Sequence, residues 1–83
     1  MTAMQAANED LRDLAFGTMA RVLGHDRATV MLGRLLAELG IELRTADELL
    51  LLSQRMVRLG GFEGAVGAML GVSAVVRGAT PGT

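Results

Sequence analysis

The sequence lacks the residue types on which several kinds of chemistry depend. It contains no cysteine, no lysine, no tryptophan and no tyrosine, and it has one histidine and one proline. The absence of cysteine excludes disulfides and thiolate metal sites, and it fits a reducing compartment, so we expect a cytoplasmic protein. The absence of lysine excludes a phosphate-binding P-loop, because the stretch GGFEG has no Gly-Lys-Ser/Thr ending.

The remaining polar residues form no catalytic or metal-binding pattern. His25 stands next to Asp26 just after a glycine, where an imidazole and a carboxylate suit the end of one helix and the N-cap of the next. Ser53 and Ser73 have no recognisable spacing to this histidine, so no nucleophile–base pair can be proposed. The carboxylates show no ligand spacing. We therefore expect a protein that is not an enzyme and has no cofactor, no metal and no small-molecule substrate.

Composition predicts one small domain with more apolar surface than its own core can bury. A chain of 83 residues buries only about 60% of the surface that its unfolded form exposes. Half of the residues are hydrophobic, at 51%, while aromatic residues make up 2% and the net charge is −1. The charges are interleaved and form no basic stripe for a polyanion. Some of the apolar surface is therefore expected to contact a protein partner.

Glycine and apolar periodicity predict an all-α fold. Gly24, Gly40, Gly60 and Gly78 each follow a segment with helical apolar spacing, as glycines that end helices do. The predicted fold is a small bundle of about four short helices, over roughly residues 4–23, 27–39, 46–59 and 62–77. These belong to a single helical domain of residues 1–79 with a flexible tail at residues 80–83. One continuous helix over residues 46–77 is the alternative for the last two.

Two helix ends have specific sequence signals. Thr45 and Glu48 form a T-x-x-E capping box, which predicts a helix starting at residue 46. Ile41 follows Gly40 and is expected to pack on Leu36, the hydrophobic contact of a Schellman ending. Asp26 is the predicted N-cap of the second helix.

Small residues line one edge of the last predicted helix at heptad spacing. They are Gly60, Gly64, Gly67, Gly71, Ala74 and Gly78. Without side chains on this edge, two helix backbones can approach more closely than usual, which offsets the cost of about 1 kcal/mol for each interior glycine. The partner of this glycine edge is either the chain's own third helix or the same edge of a second copy. On the opposite side we expect larger apolar residues, namely Phe62, Val66, Met69 and Val76.

Four consecutive leucines place one leucine on the solvated side of the third helix. An inward face of Leu49, Leu52, Met56 and Leu59 leaves Leu51 among polar residues, because successive positions turn by about 100°. These polar neighbours are Asp47, Gln54, Arg55 and Arg58. An exposed leucine surrounded by arginines is a common interface composition. Leu51, Arg55 and Arg58 are therefore a second candidate interface.

One stretch resembles a known family. The residues ELGIELRTADEL, preceded by VLGH, look like the attachment-site region of polyketide-type acyl carrier proteins. Leu43 stands at the position of the serine that carries the phosphopantetheine arm in that family. The carrier function therefore does not follow, and we assign no family from the resemblance.

These observations predict a non-catalytic helical module for protein–protein interaction or regulation, which self-associates as a homodimer through the glycine-lined helix or binds another protein. A DNA-binding regulator of helix-turn-helix type is one alternative, with Gly71 at the turn and Ser73 as the next N-cap. Only a few residues remain for its recognition helix. A peripheral membrane protein is another, based on the uncharged run at residues 64–76, which falls short of the roughly 20 residues needed to span a bilayer. We expect neither nucleic acid nor membrane as partner.

Overall fold

The computed structural model describes residues 3–79, with side chains from residue 11 onward. It contains four helices: α1 (Ala3–Leu23), α2 (His25–Leu39), α3 (Ala46–Val57) and α4 (Gly61–Val76). Within residues 3–79 there is no strand. The predicted all-α bundle of four helices is confirmed, and the predicted tail at residues 80–83 lies outside the described residues.

The last two helices are separate rather than continuous. Gly60 and Gly61 both have positive φ, at 72° and 59°, a conformation that breaks the helix and that glycine adopts without a Cβ penalty. α3 already ends at Val57, so Leu59 lies in the turn and is exposed. The prediction that Leu59 faces the core is therefore wrong, because the helical periodicity stops before it.

The second helix starts two residues earlier than predicted. Gly24 ends α1, where its N–H donates to the Ala20 carbonyl over 2.9 Å, and it is also the N-cap of α2. Asp26 is thus a first-turn residue rather than the N-cap. Its carboxylate still lies at the positive end of the helix dipole. The His25 ring packs edge-on against Phe16, with 5.2 Å between the ring centroids.

Two predicted helix-end motifs are present in the structure. The Glu48 N–H donates to Thr45 Oγ1 over 3.1 Å, and Glu48 Oε1 accepts from the Arg44 N–H over 2.6 Å. The return bond of the capping box thus reaches one residue further back than the usual N-cap amide. After α2, the Ile41 N–H donates to the Leu36 carbonyl over 3.1 Å, beside Gly40 in the left-handed conformation. This is the bond of a Schellman ending.

α3 and α4 form the most extensive helix pair, while α2 and α3 touch only sparsely. α1 contacts α2 and α4 and supplies core residues at helical spacing. The helical spacing of Leu11, Leu14, Ala15, Thr18 and Val22 predicts one inward face of α1. Leu11, Ala15 and Thr18 are buried and Leu14 is half-buried, whereas Val22 is exposed, so the face does not extend to the end of the helix. The centre of the core consists of fully buried side chains from α1, the α2–α3 link, α3 and α4. They are Met19, Leu43, Leu49, Leu52, Met56, Val66 and Leu70.

The link between α2 and α3 contains a strained residue. Leu43 has φ 58°, and among residues 3–79 it is the one non-glycine residue with positive φ. For an L-residue this conformation costs roughly 1–2 kcal/mol. The Leu43 side chain is completely buried, which is worth about 1.5–3 kcal/mol. Burial of this side chain therefore offsets the backbone strain and fixes the link against the core.

Candidate interaction surfaces

The glycine edge of α4 packs against α3 of the same chain. A Cβ added to Gly67 would lie 2.7 Å from both the Ser53 carbonyl oxygen and the Val57 amide nitrogen. A Cβ on Gly71 would lie 3.1 Å from Ser53 Oγ, and one on Gly64 would lie 3.4 Å from the Val57 carbonyl oxygen. Gly64 at the start of α4 contacts Val57 at the end of α3, and Gly71 further along α4 contacts the earlier residue Ser53. The two helices are therefore antiparallel. The sequence allowed two partners for the glycine edge, and in the structure this edge contacts the chain's own third helix.

The small residues of α4 do not all share this contact. Gly64, Gly67 and Gly71 come together against α3, and Ala74 is completely buried one turn further on. Gly60 belongs instead to the turn before α4, where an added Cβ would meet no atom within 4 Å. The contact therefore begins at Gly64, and the glycine edge is occupied within the chain.

The opposite side of α4 is exposed and apolar. Phe62, Met69 and Val76, which were predicted on this side, are exposed. Val66 is the exception, because it is completely buried and points toward the core together with Leu70. We call the exposed stripe the outer face and define it by residues at steps of three and four. Its members are Phe62, Ala65, Met69, Val72 and Val76.

No charge interrupts the outer face. Between Glu63 and Arg77 the sequence contains no acidic or basic residue. Glu63 itself turns to the other side of the helix, where its Oε2 pairs with Arg27 Nη2 of α2 over 3.1 Å. The sequence analysis predicted only part of the outer face, namely Phe62, Met69 and Val76. It missed Ala65 and Val72, although both continue the same heptad spacing.

A shallow apolar groove of about 450 Å³ borders the outer face. We call it the α3–α4 groove, since it lies where α4 meets Leu50 of α3. Gly71 contributes only backbone atoms to its lining. The lining consists only of apolar residues and glycine, namely Leu50, Ala68, Gly71, Val72, Val75 and Val76.

Leu51 lies on the solvated side of α3, as predicted, with 47% of its surface exposed. Arg58 is exposed on the same side. Arg55 is not part of this surface, because it is half-buried and faces α2, where its Nε donates to Glu38 Oε1 over 3.0 Å. The three residues predicted as one interface therefore divide between two sides of α3.

A second groove lies between the sparsely touching helices α2 and α3. It has a volume of about 530 Å³, and both signs of charge line it, as do the apolar side chains of Val30, Met31, Leu35 and Leu59. The ion pairs Arg27–Glu63 and Arg55–Glu38 tie α2 to α4 and to α3. They account for most of the charge in this groove. Arg34 and Asp26 also line it, so this groove is charged, in contrast to the uncharged α3–α4 groove.

Two further features are absent from the described part of the chain. No group of three or more histidine and carboxylate side chains there could hold a metal ion. No helix within that part is long and apolar enough to cross a membrane. The turn that a helix-turn-helix would need at Gly71 is missing, because α4 continues through this residue to Val76.

No protein-family model, no curated protein and no solved structure matches the chain.

Proposed function

We propose that this protein is a non-catalytic helical interaction module that self-associates as a homodimer through the outer face of α4. One observation carries the proposal: apart from Glu63 and Ser73, α4 consists of apolar residues and glycine, while large apolar side chains on the side away from α3 are exposed. Helices that are apolar all round are buried in folded proteins. A second copy of the chain would complete that burial.

The size and exposure of the surface support a weak dimer. Phe62 and Val72 expose 73% and 67% of their surface. A helix of 16 residues is about 24 Å long and presents roughly 400 Å² on one side. Stable interfaces bury about 800 Å² per partner, and smaller ones are transient. We therefore expect a weak, transient dimer whose population rises with protein concentration.

The glycine contact supports the same proposal in a different way. Gly67 brings the backbones of α3 and α4 into direct contact, so α4 is held close against α3. A surface on a firmly held helix loses little conformational entropy when it binds. The glycine edge thus contributes to association indirectly, by fixing the helix that carries the outer face.

The test is the molar mass in solution over a concentration series. We expect light scattering to give a mass that rises from one chain toward two. Val72→Glu places a charge in the middle of the outer face and should keep the protein monomeric. Val30→Glu is the matched control, since Val30 is similarly exposed at 61% but lies on α2. It should leave the mass unchanged, and both variants should keep the helical circular dichroism.

The surface around Leu51 and Arg58 is a second candidate for contact with another protein. Leu51→Asp should leave the helical circular dichroism and the dimer mass unchanged if the outer face of α4 mediates the dimer. If Leu51→Asp lowers the mass and Val72→Glu does not, the dimer forms through α3 and the assignment to α4 is wrong.

A regulatory role in the cytoplasm fits this proposal. A weak dimer changes its population with protein concentration, which suits regulation. The absence of cysteine supports a reducing compartment. No specific observation favours binding to DNA or to a membrane.

A further inference from the structure

The groove between α2 and α3, called here the α2–α3 groove, combines an apolar floor with an arginine that has no partner. We infer that it binds a small aliphatic monocarboxylate, with Arg34 as the contact for the carboxylate and the floor as the contact for the alkyl chain. This inference is independent of the proposed dimer, which uses α4. The sequence did not predict the site, because its residues come together only in the fold.

The size and the ends of the groove suit a small molecule. Two ion pairs connect α2 to its neighbours, and they lie at opposite ends of the helix: Arg27 in the first turn pairs with Glu63 of α4, and Glu38 in the last turn pairs with Arg55 of α3. The volume of the groove is about 530 Å³, and small-molecule pockets measure about 300–1,000 Å³. A groove that is bounded at both ends suits a short ligand better than a peptide chain.

The floor of the groove is apolar and aliphatic. Helical spacing brings Val30, Met31 and Leu35 to the side of α2 that carries Arg34, and Leu59 adds an apolar side chain from the turn after α3. Val30 and Leu59 expose 61% and 44% of their surface, which an alkyl chain would remove from water. No lining residue is aromatic, so the groove offers no stacking surface to a planar ring such as a nucleobase.

Arg34 is the cation that remains free in this groove. Among the side chains of residues 11–79, no carboxylate lies within ion-pair distance of its guanidinium. Glu38 lies one turn further along α2, but it pairs with Arg55 over 3.0 Å. A guanidinium presents a planar fork of N–H donors that matches the two oxygens of a carboxylate. A single free cation matches one carboxylate better than a doubly charged phosphate.

Asp26, the remaining acid of the lining, does not oppose this contact. It lies eight residues before Arg34, which is about 12 Å along a helix and more than the Debye length of about 8 Å at physiological ionic strength. Its carboxylate is fully exposed and lies 3.5 Å from His25 Nδ1. An alkyl chain that runs from Arg34 toward the start of α2 lies over Val30 and Met31 within the same distance.

The probe for this site is decanoate, titrated into the full chain at pH 7 below the concentration at which it forms micelles. We expect isothermal titration calorimetry to show saturable binding of one decanoate per chain. Decylamine has a similar alkyl chain and the opposite charge, and it should bind about fivefold more weakly or worse, because attraction to Arg34 is replaced by repulsion. Equal binding of the two probes would mean that only the alkyl chain is recognised and would contradict the inference. No binding of decanoate overturns it, and binding of an acidic amphipathic peptide in its place would assign the groove to a protein partner.

A substitution at Arg34 tests the carboxylate contact. Arg34→Gln should raise the Kd for decanoate about three- to fivefold, the upper range for a charge pair at an exposed position. Arg21→Gln is the matched control, since Arg21 is an exposed arginine on α1, and it should change the Kd less than about twofold. If both variants have the same effect, the ligand responds to net charge and Arg34 is not its contact.

Two glutamate variants locate the ligand and separate this inference from the proposed dimer. Val30→Glu places a carboxylate on the apolar floor and should raise the Kd for decanoate at least about tenfold, while the helical circular dichroism and the dimer mass stay unchanged. Val72→Glu, in the α3–α4 groove, should bind decanoate like the natural chain although it prevents the dimer. If Val72→Glu loses decanoate and Val30→Glu does not, the ligand lies in the α3–α4 groove and the inference is overturned. A strict monomer that binds decanoate as expected would overturn the proposed dimer alone.

Discussion

At the scale of single residues, the fold depends on two positions where the backbone and its neighbours are fitted closely. Gly67 admits no side chain because α3 backbone atoms occupy the place of a Cβ. Leu43 holds a left-handed conformation that suits glycine, and its buried side chain offsets the strain. The sequence indicated the first position through its heptad spacing. It gave no sign of the second, because a leucine in a short link carries no information about φ.

Gly67→Ala should destabilise the protein. Alanine normally stabilises a helix relative to glycine, but here the methyl group would meet two backbone atoms at 2.7 Å, which neither helix can avoid by rotating a side chain. We expect a net loss of about 1–2 kcal/mol in the free energy of unfolding, measured by urea denaturation. This corresponds to a fall in Tm of roughly 4–16 °C for a domain of this size.

Gly33→Ala is the matched control for this change. Gly33 lies inside α2, and an added Cβ would meet nothing within 4 Å. This substitution should stabilise the protein by about 0.5–1 kcal/mol. Equal effects of the two substitutions would mean that α3 and α4 do not approach as closely as the structure has them.

Leu43→Ala should cost about 2–5 kcal/mol, as removal of a fully buried leucine side chain does. Alanine also keeps the unfavourable left-handed backbone while losing the burial that offsets it. The comparison is Leu51→Ala, at a half-exposed leucine of α3, which should cost less than about 1 kcal/mol. A loss below 1 kcal/mol in Leu43→Ala would contradict the burial of the α2–α3 link.

At the scale of helices, local signals predicted the elements better than they predicted burial. The capping box at Thr45 and the Schellman ending at Gly40 were recognised because they depend on a few adjacent residues. The predicted start of α2 was two residues too late, because Gly24 rather than Asp26 is the N-cap. The orientation of Leu59 was also wrong, because it depends on where α3 ends. Of the large residues predicted away from the glycine edge, only Val66 lies in the core, since the core covers only part of that side of α4.

Thr45→Ala tests the start of α3. It removes the side-chain oxygen that accepts from the Glu48 N–H, and we expect a loss of about 1 kcal/mol in unfolding free energy. Thr29→Ala is the control, because Thr29 Oγ1 bonds only to the His25 carbonyl within α2. Its replacement should change stability by less than about 0.5 kcal/mol, since such a bond adds little to a helix. If both variants are equally stable, the capping box does not contribute to the start of the helix.

At the scale of the whole molecule, the two sides of α4 lie in different surroundings. Its glycine edge packs on α3 inside the chain, and its outer face is left uncovered. The heptad spacing of the glycines could be recognised in the sequence, but spacing alone did not distinguish a contact inside the chain from a contact between chains. The distances to Ser53 and Val57 make that distinction. Because α3 already occupies the glycine edge, we propose the opposite side of α4 as the dimer contact.

The most direct test of this account is a dilution series followed by nuclear magnetic resonance. If two copies meet through the outer face of α4, the signals of Phe62, Met69, Val72 and Val76 should shift together as the protein is diluted. Those of Val30 and Leu51 should stay in place. Concentration-dependent shifts centred on Leu51 and Arg58, or no shifts anywhere up to millimolar concentration, would contradict the account.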